Sequence, residues 1–375
     1  MRFYILLLIA VMTQILPAQA EEPLVFITSF VAGDEGAVYA YHFDSEKGVL
    51  KPLHQNKGIS NAFFLAISPD NKTLYSIDTP NFGDKEHDDA AAFMIERNTG
   101  NLKRLNKQST RGTTSCYLDV DPSGKALVVA NYSSGSVAVL PIQKDGSIGV
   151  AASFVQHSGS SIDPKRQKGP NAHSIEVSPD GRFAVAADLG IDKVLIYKLD
   201  AANAKLSPNE AQPFVKIAPG SGPRHLTFHP NGKRLYVINE LLNTVTFFDY
   251  ATESGKLTEQ QKISTLPDDF SGESYCADLK ITPDGKFLYG TNRGHHSIAV
   301  YRIEDNGRLQ LIEIKPSLGD GPQNLLITPD GKWLLCANMP GNNVAVFRID
   351  RESGKLSVHG DPVEITMPSC IRWVK

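Results

Sequence analysis

One turn is written six times along this chain. Ser68-Pro69-Asp70-Asn71 returns as Asp121-Pro122-Ser123-Gly124, Ser178-Pro179-Asp180-Gly181, His229-Pro230-Asn231-Gly232, Thr282-Pro283-Asp284-Gly285 and Thr328-Pro329-Asp330-Gly331, with the prolines 46 to 57 residues apart. Proline presets φ for such a turn, and Gly or Asn tolerates the left-handed residue that follows. A fixed period of this size marks a repeat architecture. Each turn separates two strand-like runs, as with Leu226-Thr-Phe228 before and Leu235-Tyr-Val-Ile238 after. A third run, Thr244-Val-Thr-Phe-Phe248, a polar turn over 252–256 and a fourth short strand complete a four-stranded antiparallel meander.

Six turns mark six units, yet the chain is long enough for nearly seven. Met367-Pro-Ser-Cys-Ile-Arg-Trp373 aligns with Gly321-Pro-Gln-Asn-Leu-Leu-Ile327, the first strand of a repeat. Leu24–Ser29 and Gly36–Phe43 supply a second and a third strand. A repeat built from both termini closes a ring and leaves only short outer edges. The expected fold is therefore all-β, a seven-bladed β-propeller closed by a blade shared between the N- and C-terminal strands. WD dipeptides and Kelch glycine pairs are absent.

The first twenty residues stand apart. Arg2, an apolar run over Tyr4–Ile15 and Ala18-Gln19-Ala20 before Glu21-Glu22 form the pattern of a secretory signal peptide. The run is short for a bilayer core of about 30 Å. The expected domains are thus 1–20, a signal peptide, and 21–375, one propeller, exported to the periplasm or the extracellular space. A formal charge of −3 without a basic block excludes nucleic acid as a partner. No further segment reaches membrane length, and a monomer or weak oligomer is expected. Export permits disulfides, but Cys116, Cys276, Cys336 and Cys370 form no CxxC pair. Four buried thiols or one bridge both fit.

The repeats provide an alignment within the chain. Seven residues past each turn stand Asp78, Asn131, Asp188, Asn239, Asn292 and Asn338, a column of short polar side chains expected to bond backbone. One position further the blades disagree: Thr79, Tyr132, Leu189, Glu240, Arg293 and Met339. The first strands carry a second discordant column of Phe63, Cys116, His173, Arg224, Ala277, Gln323 and Ser369. Both columns fall at one end of the propeller. His173, Arg224, Glu240 and Arg293, from three consecutive blades, should converge on one sector of one tunnel mouth. The insertion over 156–170 joins that mouth, with Lys165, Arg166 and Lys168 either attracting an anion or facing water. Asp84, Glu86, His87, Asp88 and Asp89 lack calcium-loop spacing and are expected to be solvated acid. His295 and His296 follow Arg293 and either edge the site or face water. GxSxG, Walker, HExxH and dinucleotide motifs are absent, so no metal or cofactor is expected.

These residues resemble the lactonase family of seven-bladed propellers, which includes the propeller-type bacterial 6-phosphogluconolactonase and the fungal carboxy-cis,cis-muconate cyclase. The likeness rests on Gly159-Ser-Ser161 with Arg166-Gln167, Pro170-Asn-Ala-His-Ser174, Asp188-Leu-Gly-Ile-Asp-Lys-Val194, Gly222-Pro-Arg-His225, Asn239-Glu-Leu241 and Asn292-Arg-Gly-His295. It implies a catalytic group of His173, Arg224, Glu240 and Arg293, with Arg166, Asn171, His225 and His295 binding substrate. Asn171 stands where relatives often carry a first His, which bears on substrate preference. The implied activity is metal-independent hydrolysis of a sugar lactone, a carboxylic ester hydrolysis of the 6-phosphogluconolactonase kind, on an anionic or polyhydroxylated small molecule. His173 beside two guanidiniums should stay neutral and accept a proton, the arginines bind an oxyanion, and Glu240 orients Arg224 or donates a proton. Cyclisation of an unsaturated dicarboxylate and a non-catalytic binding propeller are the alternatives.

Overall fold

The computed structural model describes residues 23–83 and 85–375. The signal peptide expected over 1–20, and Asp84 of the acidic loop, lie outside the described residues. Among the described residues thirty strands form seven antiparallel sheets, six of them built on a meander in chain order and the seventh joining both ends of the chain. Blade one begins with Leu65–Ile67, blade two with Ser115–Val120, blade three with Ala172–Val177 and blade four with Pro223–Phe228. Blades five and six begin with Cys276–Ile281 and Pro322–Ile327. In the seventh sheet Ile371–Val374 pairs antiparallel with Leu24–Ser29, which leads to Ala37–Asp44 and Val49–Lys57. The inner strands pack each on the next all the way round, that of blade seven against blade one included.

The repeated turn explains its own composition. Ser68 Oγ donates to Asp70 Oδ1 at 2.7 Å and accepts the Thr73 amide at 2.9 Å. Ser178, Thr282 and Thr328 make the same pair of bonds with Asp180 and Phe183, Asp284 and Phe287, and Asp330 and Trp333. The fourth residue is left-handed, with φ of 58° at Asn71 and 73° at Gly181. A β-carbon strains that conformation, so Gly or Asn recurs there. The concordant column is structural as expected. Asp78 Oδ1 accepts the Ser60 amide at 3.0 Å, and Asn292 Nδ2 and Asn338 Nδ2 donate to the Thr265 and Ser317 carbonyls at 2.8 and 3.0 Å, while Asn239 bonds the Thr244 and Thr246 hydroxyls instead of backbone.

Neighbouring blades share their cores. Phe183, Val185, Val194 and Ile196 of blade three pack against Leu226, Leu235, Val237 and Phe248 of blade four. Phe43 of blade seven meets the edge of Trp333 in blade six, whose Nε1 donates to the Ser45 carbonyl. Phe248 is fully buried between two sheets, and truncating such a ring costs about 3–5 kcal/mol. Outer strands such as Lys256–Ser264 are polar and half exposed, which discourages edge-to-edge pairing.

The centre is filled at mid-height. Phe64 of blade one stacks on Tyr117 of blade two at 4.2 Å, and His225 of blade four meets both rings edge-on. Blades two and four are not neighbours, so Tyr117 and His225 touch only across the axis. This aromatic layer makes a floor beneath the mouth. All four cysteines are free and buried. The acidic loop departs from expectation at Asp88, which is 1% exposed and accepts the Ser115 amide at 2.5 Å. It is a structural carboxylate rather than a solvated one.

Candidate active site

Five inner strands carry a bulge where the discordant column lies. In blade three Ala172 faces Asp188 while Ser174 faces Ala187, so His173 is the additional residue. Arg224 is inserted in the same way between Pro223 and His225, as is Cys116 between Ser115 and Tyr117. A bulge breaks the alternation of a strand and re-aims one side chain. That places His173 and Arg224 together at the mouth instead of within the sheets. Glu240 and Arg293 follow the ends of the second strands Arg234–Asn239 and Phe287–Asn292, at the same level.

Glu240 is the hub. Its Oε2 accepts Arg224 Nε at 3.0 Å and Arg293 Nη2 at 2.8 Å, and lies 3.9 Å from His173 Nε2. Its Oε1 accepts Arg166 Nη2 at 2.6 Å. Burial alone would raise this carboxyl; Arg293, Arg224 and Arg166 outweigh it and hold it below its ordinary value. Three guanidiniums meet one carboxylate, so the cluster carries excess positive charge. Burial, then Arg224 and His225, drive the His173 imidazole well below its usual 6.5. It is neutral at pH 7 and able to accept a proton.

The three arginines differ in access. The Arg224 side chain is 1% exposed, with Nε on Glu240 and Nη1 on the Ala277 carbonyl and His225 Nε2. The Arg293 and Arg166 side chains are 28% and 34% exposed, so these two guanidiniums face incoming solute. Arg293 is braced by the Tyr275 and Cys276 carbonyls at 3.3 and 3.2 Å. Arg166 also donates to Tyr132 Oη at 3.1 Å and lies over the Tyr275 ring. The insertion that carries it is pinned down. Buried Gln167 donates to the Leu189 carbonyl and accepts the Asp163 amide, and Ser161 Oγ donates to Asp192. Gly190 is required at this seam, because a β-carbon there would stand 1.9 Å from the Gly169 carbonyl oxygen. Lys165 and Lys168 are exposed.

The remaining expected site residues divide. Asn171 donates through Nδ2 to the Tyr132 carbonyl at 3.0 Å, so it holds the mouth in shape. His225, expected to bind substrate, has both ring nitrogens occupied. Arg224 can only donate, so His225 Nε2 accepts, and Nδ1–H donates to Asp278 Oδ1 at 2.9 Å. Burial, then Arg224, lowers it to about 3 despite Asp278. Its place is beneath Arg224, as a support, because the residue is buried. His295 contacts Ser297 Oγ and the Phe270 ring rather than the cluster. Three participants went unread in sequence: Tyr132, whose ring packs against that of His173 with centroids 5.1 Å apart; Tyr275; and Asp278. Tyr132 stands in the discordant column, but it is uncharged at neutral pH, and only the charged members, Glu240 and Arg293, stand out there. Among the described residues no three His, Cys, Asp or Glu side chains group as metal ligands.

With this geometry in place, the family profile for "Lactonase, 7-bladed beta-propeller" matches residues 24–373. The chain belongs to this lactonase family. It is 33% identical over 350 residues to the 6-phosphogluconolactonase of Bacillus subtilis, covering 93% of this chain and 97% of that one. It is 36% identical over 307 residues to the 6-phosphogluconolactonase of Formosa agariphila, covering 80% and 84%. The solved structure of a periplasmic gluconolactonase of Pseudomonas aeruginosa superposes with a TM-score of 0.88 at 31% identity, over 94% of this lactonase-family chain and 99% of its own.

Proposed function

We propose that this protein hydrolyses a sugar δ-lactone to its hydroxy acid at the mouth built around Glu240. The observation that carries the reading is the buried His173 imidazole, held 3.9 Å from a carboxylate already bound by three guanidiniums. Glu240 has little basicity left, so His173 is the group that takes the proton of an attacking water. The lactone carbonyl becomes an oxyanion as the water adds. Arg293, fixed by two carbonyls and open to solvent, supplies forked donors to that oxyanion at no cost of reorganisation. Arg224 sets the position of Glu240 from below, and Arg166 closes the insertion over the site. No step requires a group that the chain does not itself carry.

The finer reading concerns the substrate and its compartment. The leader over 1–20 directs export, and an unphosphorylated aldonolactone is the lactone that suits a protein outside the cytoplasm. The Pseudomonas relative, a periplasmic gluconolactonase, supports this choice over a 6-phosphate. The deciding experiment is pH-stat hydrolysis of glucono-1,5-lactone and its 6-phosphate by the mature protein in EDTA, with spontaneous hydrolysis subtracted. Faster turnover of the unphosphorylated lactone is expected. Faster turnover of the phosphate reverses the substrate preference, and flat traces for both overturn the assignment.

A further inference from the structure

Lactone opening needs one more group than the four around Glu240 provide. When the tetrahedral intermediate collapses, the ring C–O bond breaks and its electron pair goes to the ring oxygen, which must gain a proton. Arg293 and Arg166 are poor proton sources, because a guanidinium stays protonated throughout the working range. Glu240 is ionised. His173 holds the proton taken from water, on the side from which the water attacked.

We propose, resting on the lactonase reading, that Tyr132 is a catalytic residue that gives its phenolic proton to the departing ring oxygen. Four observations place it for that task. Its ring packs against the His173 imidazole with centroids 5.1 Å apart, and its hydroxyl lies on the Arg166 guanidinium that also binds Glu240, so it belongs to the same mouth. Tyr132 is half-buried rather than enclosed. Its Oη accepts Arg166 Nη2 at 3.1 Å, and since a guanidinium only donates, the hydroxyl proton must point elsewhere. Among the described residues no acceptor receives it. Asn171 Nδ2 meanwhile ties down the Tyr132 carbonyl at 3.0 Å, fixing the backbone from which the ring projects.

The proton balance closes. Water adds to the carbonyl carbon and loses its proton to His173; the ring C–O bond breaks and the ring oxygen takes the Tyr132 proton. The phenolate, held by Arg166, then recovers a proton from the His173 imidazolium through solvent in the mouth. Lactone and water have become hydroxy acid, with both side chains restored. Burial raises the Tyr132 hydroxyl above its ordinary value against the pull of Arg166, which keeps it protonated at neutral pH.

Two variants test this on the full mature protein with glucono-1,5-lactone. Tyr132→Phe keeps the ring against His173 and removes only the hydroxyl. Its kcat should fall about 10²-fold, the lower end for loss of a general acid, with KM within about threefold. Replacement of Tyr132 by 3-fluorotyrosine, assayed at pH 6, makes the phenol more acidic at nearly constant shape. A proton donor then shifts kcat in step with phenol acidity, whereas a ring that merely supports Arg166 leaves it flat. A Tyr132→Phe enzyme within threefold of wild type, a loss confined to KM, or no response to fluorination overturns the proposal while leaving the lactonase reading intact. A wild-type protein without lactone turnover overturns both.

Discussion

Arg166 and Glu240 are 74 positions apart in sequence, and Arg166 Nη2 donates to Glu240 Oε1 at 2.6 Å. This contact ties the insertion of 156–170 to blade four and makes a loop residue part of the charge cluster. The same nitrogen reaches Tyr132 Oη, so one guanidinium spans two site residues. Arg166→Ala should therefore lower kcat/KM by about 10- to 100-fold, the equivalent of one or two charge-assisted hydrogen bonds. Arg166→Lys should recover little, because the shorter side chain brings no flat guanidinium to lie over the Tyr275 ring while one nitrogen reaches both Glu240 and Tyr132. Steady-state kinetics of both variants decide it. Full recovery by Lys would show that only the charge counts.

His173 carries the strongest prediction. His173→Ala should lower kcat by roughly 10²–10⁴-fold, the usual contribution of a general base. A rate within threefold of wild type removes His173 from the reaction. The pH profile tests the same residue differently. A base works only when neutral, and burial with two flanking guanidiniums depresses this imidazole well below 6.5. Activity should therefore stay level from pH 8 down through 6.5 and decline only at lower pH, as His173 gains its proton. A half-maximal point at or above 6.5 would mean that the titrating group is not this histidine.

How much of this was readable beforehand differs between fold and site. Six turns and one concordant column determine the blades, because the same local chemistry is repeated: a hydroxyl on an Asp, a left-handed Gly, an Asn against backbone. The discordant columns locate His173, Arg224, Glu240 and Arg293 because a reactive type in one blade has no scaffold reason to be there. The roles within the group were less readable. The bulge that aims His173 and Arg224 is a register feature with no composition of its own. Arg166 reaches Glu240 across a loop whose path depends on Gln167, Asp188 and Asp192, so its partner could not be told from neighbouring Lys165 or Lys168. His225 sits one position from Arg224 and so shares its motif, but the strand turns it down onto Asp278.

The cysteines give a direct check on the interior. Cys116, Cys276, Cys336 and Cys370 are all buried and unbridged, and burial pushes the Cys116 and Cys276 thiols up to about 12. The thiolate is the reactive form, so these sulfurs should be inert in the folded protein. A thiol-reactive chromogenic disulfide should find no appreciable thiol in native protein and all four in denaturant without reductant. Two thiols in denaturant would instead reveal a bridge.

Below the aromatic floor, Glu176 makes stability depend on pH. Tyr117 Oη donates to Glu176 Oε1 at 2.6 Å, and burial, reinforced by Asp119, raises the carboxyl from 4.5 to about 8. Lys280 pulls the other way, and Asp278, bound to Lys280 at 2.8 Å, adds to the rise. Between pH 4.5 and 8 the folded protein holds a proton on Glu176 that the unfolded chain has released. Linkage then requires stability from this group to fall as pH rises through that window. Glu176→Gln imitates the protonated side chain and keeps an acceptor for Tyr117. Its stability advantage over wild type should be least near pH 5, grow through pH 6.5 and level off above pH 8. Urea unfolding at these three pH values measures it, and a difference that stays constant across them would place the Glu176 carboxyl in an ordinary ionised state.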